Sequence, residues 1–181
     1  MSVVLIGGGA RSGKSAFALR LARGRGPRRL FIATAEPRDA EMQARVARHR
    51  EERGIEFATR EAPVDVTAAL RAADADFDVV LVDCLTLWIS NLLLADAAEA
   101  AILRQADELL DVASASPCPV LLVTNEVGLG IVPETPLGRA FRDITGRVHQ
   151  RVAARAAEVY FAALGLVLRL RPGPVEAMAP E

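Results

Sequence analysis

Val3-Val4-Leu5-Ile6-Gly7-Gly8-Gly9-Ala10-Arg11-Ser12-Gly13-Lys14-Ser15 decides the fold of this chain. Residues 8–15 read G-x-x-x-x-G-K-S, a phosphate-binding P-loop. The four apolar residues before it suit a short buried strand. Phe17, Leu19 and Leu21 after it suit a buried helix. Strand, loop and helix are the context in which the motif works. Glycines let the chain wrap a phosphate with its N–H groups pointing inward. The positive end of the helix dipole faces the same anion. Lys14 is expected to reach the terminal phosphates and Ser15 to hold Mg²⁺. Gly8, Gly9, Ala10, Arg11, Ser12 and Gly13 supply the cradle. Among 22 basic residues Lys14 is the only lysine; every other one is arginine. A compact ammonium is kept at the one place where a point charge must grip phosphate.

Working outward, strands alternate with helices. Residues 30–34 read as a second buried strand, 38–53 as an amphipathic helix stopped by Gly54, and 55–59 as a short strand. Residues 65–73 suit a helix. Residues 77–83 are an apolar strand ending in a carboxylate, the arrangement that delivers an acid to the metal side of a P-loop. Helices over 85–95 and 97–113 follow, then a strand at 119–124 and a loop rich in Gly and Pro over 128–136. A long arginine-rich helix spans 137–157, and a hairpin around Gly165 joins 159–163 to 166–170. The order predicts an α/β fold with a mainly parallel sheet, helices on both faces and an antiparallel C-terminal edge. Ligands collect at the C-terminal ends of parallel strands, where Gly8, Thr34, Asp83 and Asn125 fall. Residues 1–171 are expected to form one domain, and 172–181, with three prolines and few anchors, a mobile tail.

Bulk composition excludes other classes. A formal net charge of −1 gives no basic footprint for nucleic acid. No apolar run approaches the ~20 residues that span a bilayer. Cys84 and Cys118 make neither a disulfide framework nor a zinc pattern. The start runs directly into a strand, leaving no room for a secretory leader. A cytoplasmic setting is expected.

Met42, Val46 and His49 share one face of the 38–53 helix. Taken alone, that spacing fits a packed histidine better than a reactive one. The neighbourhood supports the second reading, since Arg45, Arg48, Arg50 and Arg53 could neutralise a triphosphate during attack at its α-phosphorus. A neutral imidazole is a competent covalent nucleophile.

The motifs around the P-loop resemble one family, the bifunctional adenosylcobinamide kinase / adenosylcobinamide-phosphate guanylyltransferases of cobalamin biosynthesis. Gly7 to Ser15 resembles the family's loop. Phe31-Ile32-Ala33-Thr34-Ala35 with Asp39, Glu41-Met42, Arg45-Val46 and His49 is similar to its second block. Asp83-Cys84-Leu85-Thr86, Trp88 and Asn91-Leu92 resemble its acid-bearing block. Thr124-Asn125-Glu126-Val127-Gly128, Gly130-Ile131-Val132-Pro133 and Phe141-Arg142-Asp143 are similar to its longest signature. The likeness covers residues 3–170. It departs at His149-Gln150, where the family has Asn-Gln.

The resemblance implies two reactions. ATP or GTP phosphorylates the hydroxyl of adenosylcobinamide. GTP then donates GMP to that phosphate through a covalent histidine intermediate, releasing pyrophosphate. It implies His49 as nucleophile, Lys14 in catalysis, and Ser15 and Asp83 on Mg²⁺. It further implies nucleotide contacts at Thr34, Ala35, Glu36, Arg50, Glu51, Glu52, Arg53, Glu61 and Asp83. The partners implied are a corrinoid and a nucleoside triphosphate, and the assembly a homotrimer. Two rivals remain: a P-loop kinase of another small metabolite, and a RecA-like module that uses nucleotide while holding a partner. Neither would use His49 as a nucleophile.

Overall fold

Eight strands form one sheet in the order β3-β2-β4-β5-β1-β6-β7-β8. The computed structural model describes residues 2–37, 39–73 and 76–178, with the side chains of Glu41, Arg45 and Glu52 also left aside. The strands are β1 (Val3–Gly8), β2 (Arg29–Ala33), β3 (Phe57–Glu61), β4 (Val79–Asp83), β5 (Val120–Val123), β6 (Glu158–Ala163), β7 (Leu166–Arg171) and β8 (Glu176–Met178). The helices are α1 (Lys14–Arg23), α2 (Ala40–Arg53), α3 (Val66–Arg71), α4 (Leu85–Leu94), α5 (Glu99–Ala115) and α6 (Pro136–Arg155). The six strands from β3 to β6 run parallel, while β7 and β8 are antiparallel additions at one edge. None of the helices described is long and apolar enough to cross a membrane.

The alternation of side chains along each strand divides the core in two. Val3, Leu5, Leu30, Ile32, Val80, Val82, Val120 and Leu122 face α3, α4, α5 and α6. Val4, Ile6, Phe31, Leu81, Leu121 and Val123 face α1. Both faces of the central strands are buried, which is why they read as unbroken apolar runs. Parallel pairing places the ends of β1, β2, β4 and β5 at one rim, where Ile6 is beside Val123 and Ala33 beside Asp83. That rim carries the site.

Two elements differ from the sequence reading. Ile55 lies outside β3 and is fully exposed; the preceding glycine turns the chain, and Glu56 pairs with Arg23 at 2.8 Å. The stretch after Pro172, expected to be a mobile tail, carries β8. Its residues pair with β7, Met178 packs on the α1-side core, and Glu176 bonds Arg169. Three residues are too few to show a strand period, and the prolines around them argue for a loop, so nothing local announces the pairing.

Candidate active site

The phosphate loop is held open by backbone geometry. Gly8 is closed in on one side, and a Cβ there would meet the Ala162 carbonyl at 2.4 Å and Ser12 Oγ at 2.7 Å. Gly13, at φ 93°, turns left-handed to start α1. Ser12 N donates to Gly9 O at 3.3 Å, and Gly165 N, from the β6–β7 turn, donates to Ser12 O at 3.2 Å. The Ser12 hydroxyl is buried and has no hydrogen-bond partner among the described residues. Such a group suits a phosphate oxygen. Lys14 is only 6% exposed. Its Nζ donates to Gly9 O at 3.1 Å, which folds the ammonium back over the loop.

Asp83 ends β4, and α4 begins two residues later. The junction is clamped by Thr34: its N–H donates to Asp83 O at 3.2 Å, its hydroxyl donates to Cys84 O at 2.8 Å, and it accepts from Cys84 N at 2.7 Å. Asn91 adds a bond from Nδ2 to Thr34 O at 2.9 Å. Burial and the adjacent Asp83 push the Cys84 thiol up to about 11, so it stays protonated.

The opposite wall is α2. Asp39 caps it, accepting from Met42 N at 2.7 Å. The last residue of α2, Arg53, is buried with its guanidinium 4.2 Å from the Phe31 ring centre. Burial and then Arg50 lower that guanidinium below its ordinary value, while Asp83 and Glu61 pull it back. Arg50 bonds Glu61 at the end of β3.

One cleft joins these parts. Lys14, Ser15 and Asp83 form its floor; Met42, Val46, His49, Arg50 and Arg53 of α2 form a wall; Phe31, Ala35, Glu61, Cys84, Leu87 and Asn125 are among the other residues that line it. Residues far apart in sequence thus meet, with His49 opening on the same space as the phosphate-loop lysine. A second cavity adjoins the first through Arg50, Arg53 and Glu61, and Glu51 lines it. Thr34 is fully buried and its hydroxyl is spent on Cys84, so its side chain clamps strands and does not face the cleft. Glu36 also stands outside the lining. The Glu52 side chain lies outside the described residues. Sequence reasoning missed Phe31 and Leu87: both read as core, and nothing local marks an apolar side chain at a strand or helix end as a cleft wall.

Among the described residues no group of three His, Cys, Asp or Glu could cage a metal. A serine hydroxyl and one carboxylate in a single cleft match the way Mg²⁺ is held, through few protein ligands plus phosphate oxygens and water.

His149, on α6, is not part of this cleft's lining and faces the residues that follow β5. Its Nε2 is 2.6 Å from Thr124 Oγ1 and its Nδ1 3.8 Å from Glu126 Oε2. Burial lowers its proton affinity, opposed by Glu126.

Comparison with known proteins matches nearly the whole chain. The sequence model of the cobinamide kinase / cobinamide phosphate guanyltransferase family matches residues 4–170. The chain is 42% identical over 171 residues to the bifunctional adenosylcobalamin biosynthesis protein CobP of Pseudomonas aeruginosa, covering 94% of this chain and 98% of that one. It is 41% identical over 181 residues to the bifunctional adenosylcobalamin biosynthesis protein CobU of Salmonella typhimurium, covering 93% and 99%. Among solved structures, the RadB recombinase superposes with a TM-score of 0.58 at 18% identity, covering 97% of this chain and 86% of that one. A prototypical ATPase from the type III secretion system of pathogenic bacteria also gives 0.58, at 12% identity, covering 88% of this chain and 50% of that one. At those identities the structural likeness speaks for the fold alone.

Proposed function

The chain belongs to the cobinamide kinase / cobinamide phosphate guanyltransferase family, and from that premise we propose that one cleft serves both reactions of a bifunctional transferase. In the first, the hydroxyl oxygen of adenosylcobinamide bonds to the γ-phosphorus of ATP or GTP. The bridging bond to the β-phosphate breaks with its electron pair, and the proton passes to solvent. In the second, a ring nitrogen of His49 bonds to the α-phosphorus of GTP and pyrophosphate departs. An oxygen of adenosylcobinamide phosphate then displaces the histidine, giving adenosylcobinamide-GDP.

The observation that carries this reading is that His49 and the phosphate-loop residues line the same cleft. Lys14 and the loop N–H groups draw charge off the departing phosphates. Arg53, held over the Phe31 ring and shielded from bulk water, adds a fixed cation. Arg50 and Glu61 flank the adjoining cavity, which we assign to the guanine end of the nucleotide. Ser15 and Asp83 would hold Mg²⁺, which supplies charge neutralisation on the phosphates when bound.

A homotrimer in the cytoplasm completes the reading. An assembly is supported by Leu164, Leu166, Leu168 and Leu170, exposed along and beside β7, and light scattering in solution tests it. The deciding experiment for the chemistry is intact-protein mass spectrometry after incubation with GTP and Mg²⁺. The wild type should gain one GMP, through an acid-labile phosphoramidate. His49→Ala should gain none, yet still phosphorylate adenosylcobinamide. A kinase of another metabolite, or a nucleotide-dependent binding module, would give no adduct.

A further inference from the structure

Strand β5 runs between β4 and β1, and Val123 at its end pairs with both Asp83 and Ile6. Asn125, two residues on, therefore stands between the carboxylate and the phosphate loop. Its neighbours pin the turn: Thr124 N donates to Ile6 O at 3.0 Å and Glu126 N to Gly8 O at 3.0 Å. The amide itself is oriented by Thr86. Asn125 N donates to Thr86 Oγ1 at 2.9 Å, and Nδ2 donates to the same oxygen at 3.2 Å, with Cys84 Sγ 3.8 Å away. Nδ2 is thereby committed, and the oxygen is left over. Asn125 Oδ1 is buried and has no hydrogen-bond partner among the described residues. A buried amide oxygen without a donor is uncommon and asks for one.

The residue lines the cleft together with Lys14, Ser15 and Asp83. Phosphate oxygens are acceptors and cannot satisfy it. An O–H group can. Two such groups belong at this position in a phosphoryl-transfer site: the alcohol of the acceptor and a water on the metal ion. The floor already offers an ammonium, a hydroxyl and a carboxylate for nucleotide and metal, and Asn125 adds beside them a neutral amide oxygen suited to an alcohol. We propose that Asn125 Oδ1 accepts the hydrogen bond of the acceptor's alcohol, turning an oxygen lone pair toward the γ-phosphorus, with Thr86 as the residue that positions the amide. Asn125 takes no proton: as the O–P bond forms and the bridging bond breaks, the proton goes to solvent. This inference rests on the kinase reading of the cleft.

The test separates the alcohol from the metal-bound water, because self-guanylylation needs GTP and Mg²⁺ but no alcohol. Asn125→Ala should lower kinase kcat about 10²-fold, the cost of a misaligned reactant, while the rate of GMP adduct formation stays at the wild-type level. Thr86→Val, which fills the same space, should lower kinase kcat in the same direction, and Thr86→Ser should restore it; thermal melts verify that each variant is folded. Equal loss of phosphorylation and adduct formation in a folded Asn125→Ala would assign the oxygen to nucleotide or metal-bound water and overturn the proposal. Unchanged phosphorylation would overturn it too. Should the wild type phosphorylate adenosylcobinamide without forming an adduct, the guanylylation reading fails by itself; Mg²⁺-dependent ATP affinity of Asn125→Ala then takes the place of the adduct measurement, and weakened affinity overturns the proposal.

Discussion

Replacing Lys14 by methionine removes one charge while keeping most of the side chain's volume. The residue is 6% exposed and its ammonium sits 3.1 Å from Gly9 O, so a phosphate in the loop would meet it with little bulk water between. At a contact of ~3 Å and an effective dielectric of ~20, the gross attraction is about 5 kcal/mol. Only the part that grows as charge moves onto the departing phosphate lowers the barrier. For a single preorganised donor that part is typically ~2.7–4 kcal/mol, or ~10²–10³ in kcat. Single-turnover phosphorylation of adenosylcobinamide, followed by product chromatography, reads the loss directly. The fold should not suffer, since a buried ammonium is exchanged for an apolar group, so the melting temperature should hold or rise. Lys14→Arg should not rescue activity, because a planar fork cannot replace a point charge in a loop closed by Ser12 and Gly9. Near wild-type phosphorylation by folded Lys14→Met would refute the assignment of the loop to the triphosphate.

Glu61→Gln should raise the KM for GTP in guanylylation and leave ATP-driven phosphorylation unchanged; because the Arg50–Glu61 pair is more than half exposed, stability should change by less than ~1 kcal/mol, and an equal effect on both nucleotides would dismiss the guanine contact. His149→Asn should flatten the acid limb of stability. Burial lowers the proton affinity of His149 below its ordinary 6.5, so the unfolded chain protonates first; stability is fully present above about 6.5 and is lost as pH falls toward and through the folded value. Urea unfolding between pH 7 and 5 measures the slope, and identical slopes for both proteins would show that His149 contributes none of it.

The layer order was legible in the sequence because strands buried on both faces must be continuous apolar runs, and β1, β2, β4 and β5 are. The phosphate loop was legible because its geometry demands glycines at set positions and a lysine at one. Thr34 shows what position alone does not tell: its location at a strand end beside the loop is that of a ligand contact, but a hydroxyl can be consumed by its neighbour's backbone, and Cys84 consumes this one on both sides. The burial of Arg53 was also hidden, since charge at the end of a helix usually means solvent; here the Phe31 ring across the cleft supplies the cover. His149 stood out as a departure in sequence, yet its tie to Thr124 and Glu126 depends on how α6 lies over β5, which no local pattern encodes. Asn125 was visible as a polar residue at a strand end, but the orphaned oxygen emerges only once Thr86 has claimed the other half of the amide.

The solitary lysine has a practical consequence. Arginine does not react with aldehydes or activated esters as an amine does, so Lys14 is the only side-chain amine in the sequence that such reagents can tag. Buried beneath the phosphate loop, it should tag slowly, and more slowly still when a triphosphate fills the loop. The chain therefore carries its own occupancy gauge: the extent of labelling at one tryptic junction, compared with and without nucleotide, reports how full the loop is without a fluorophore, a tag or a mutation.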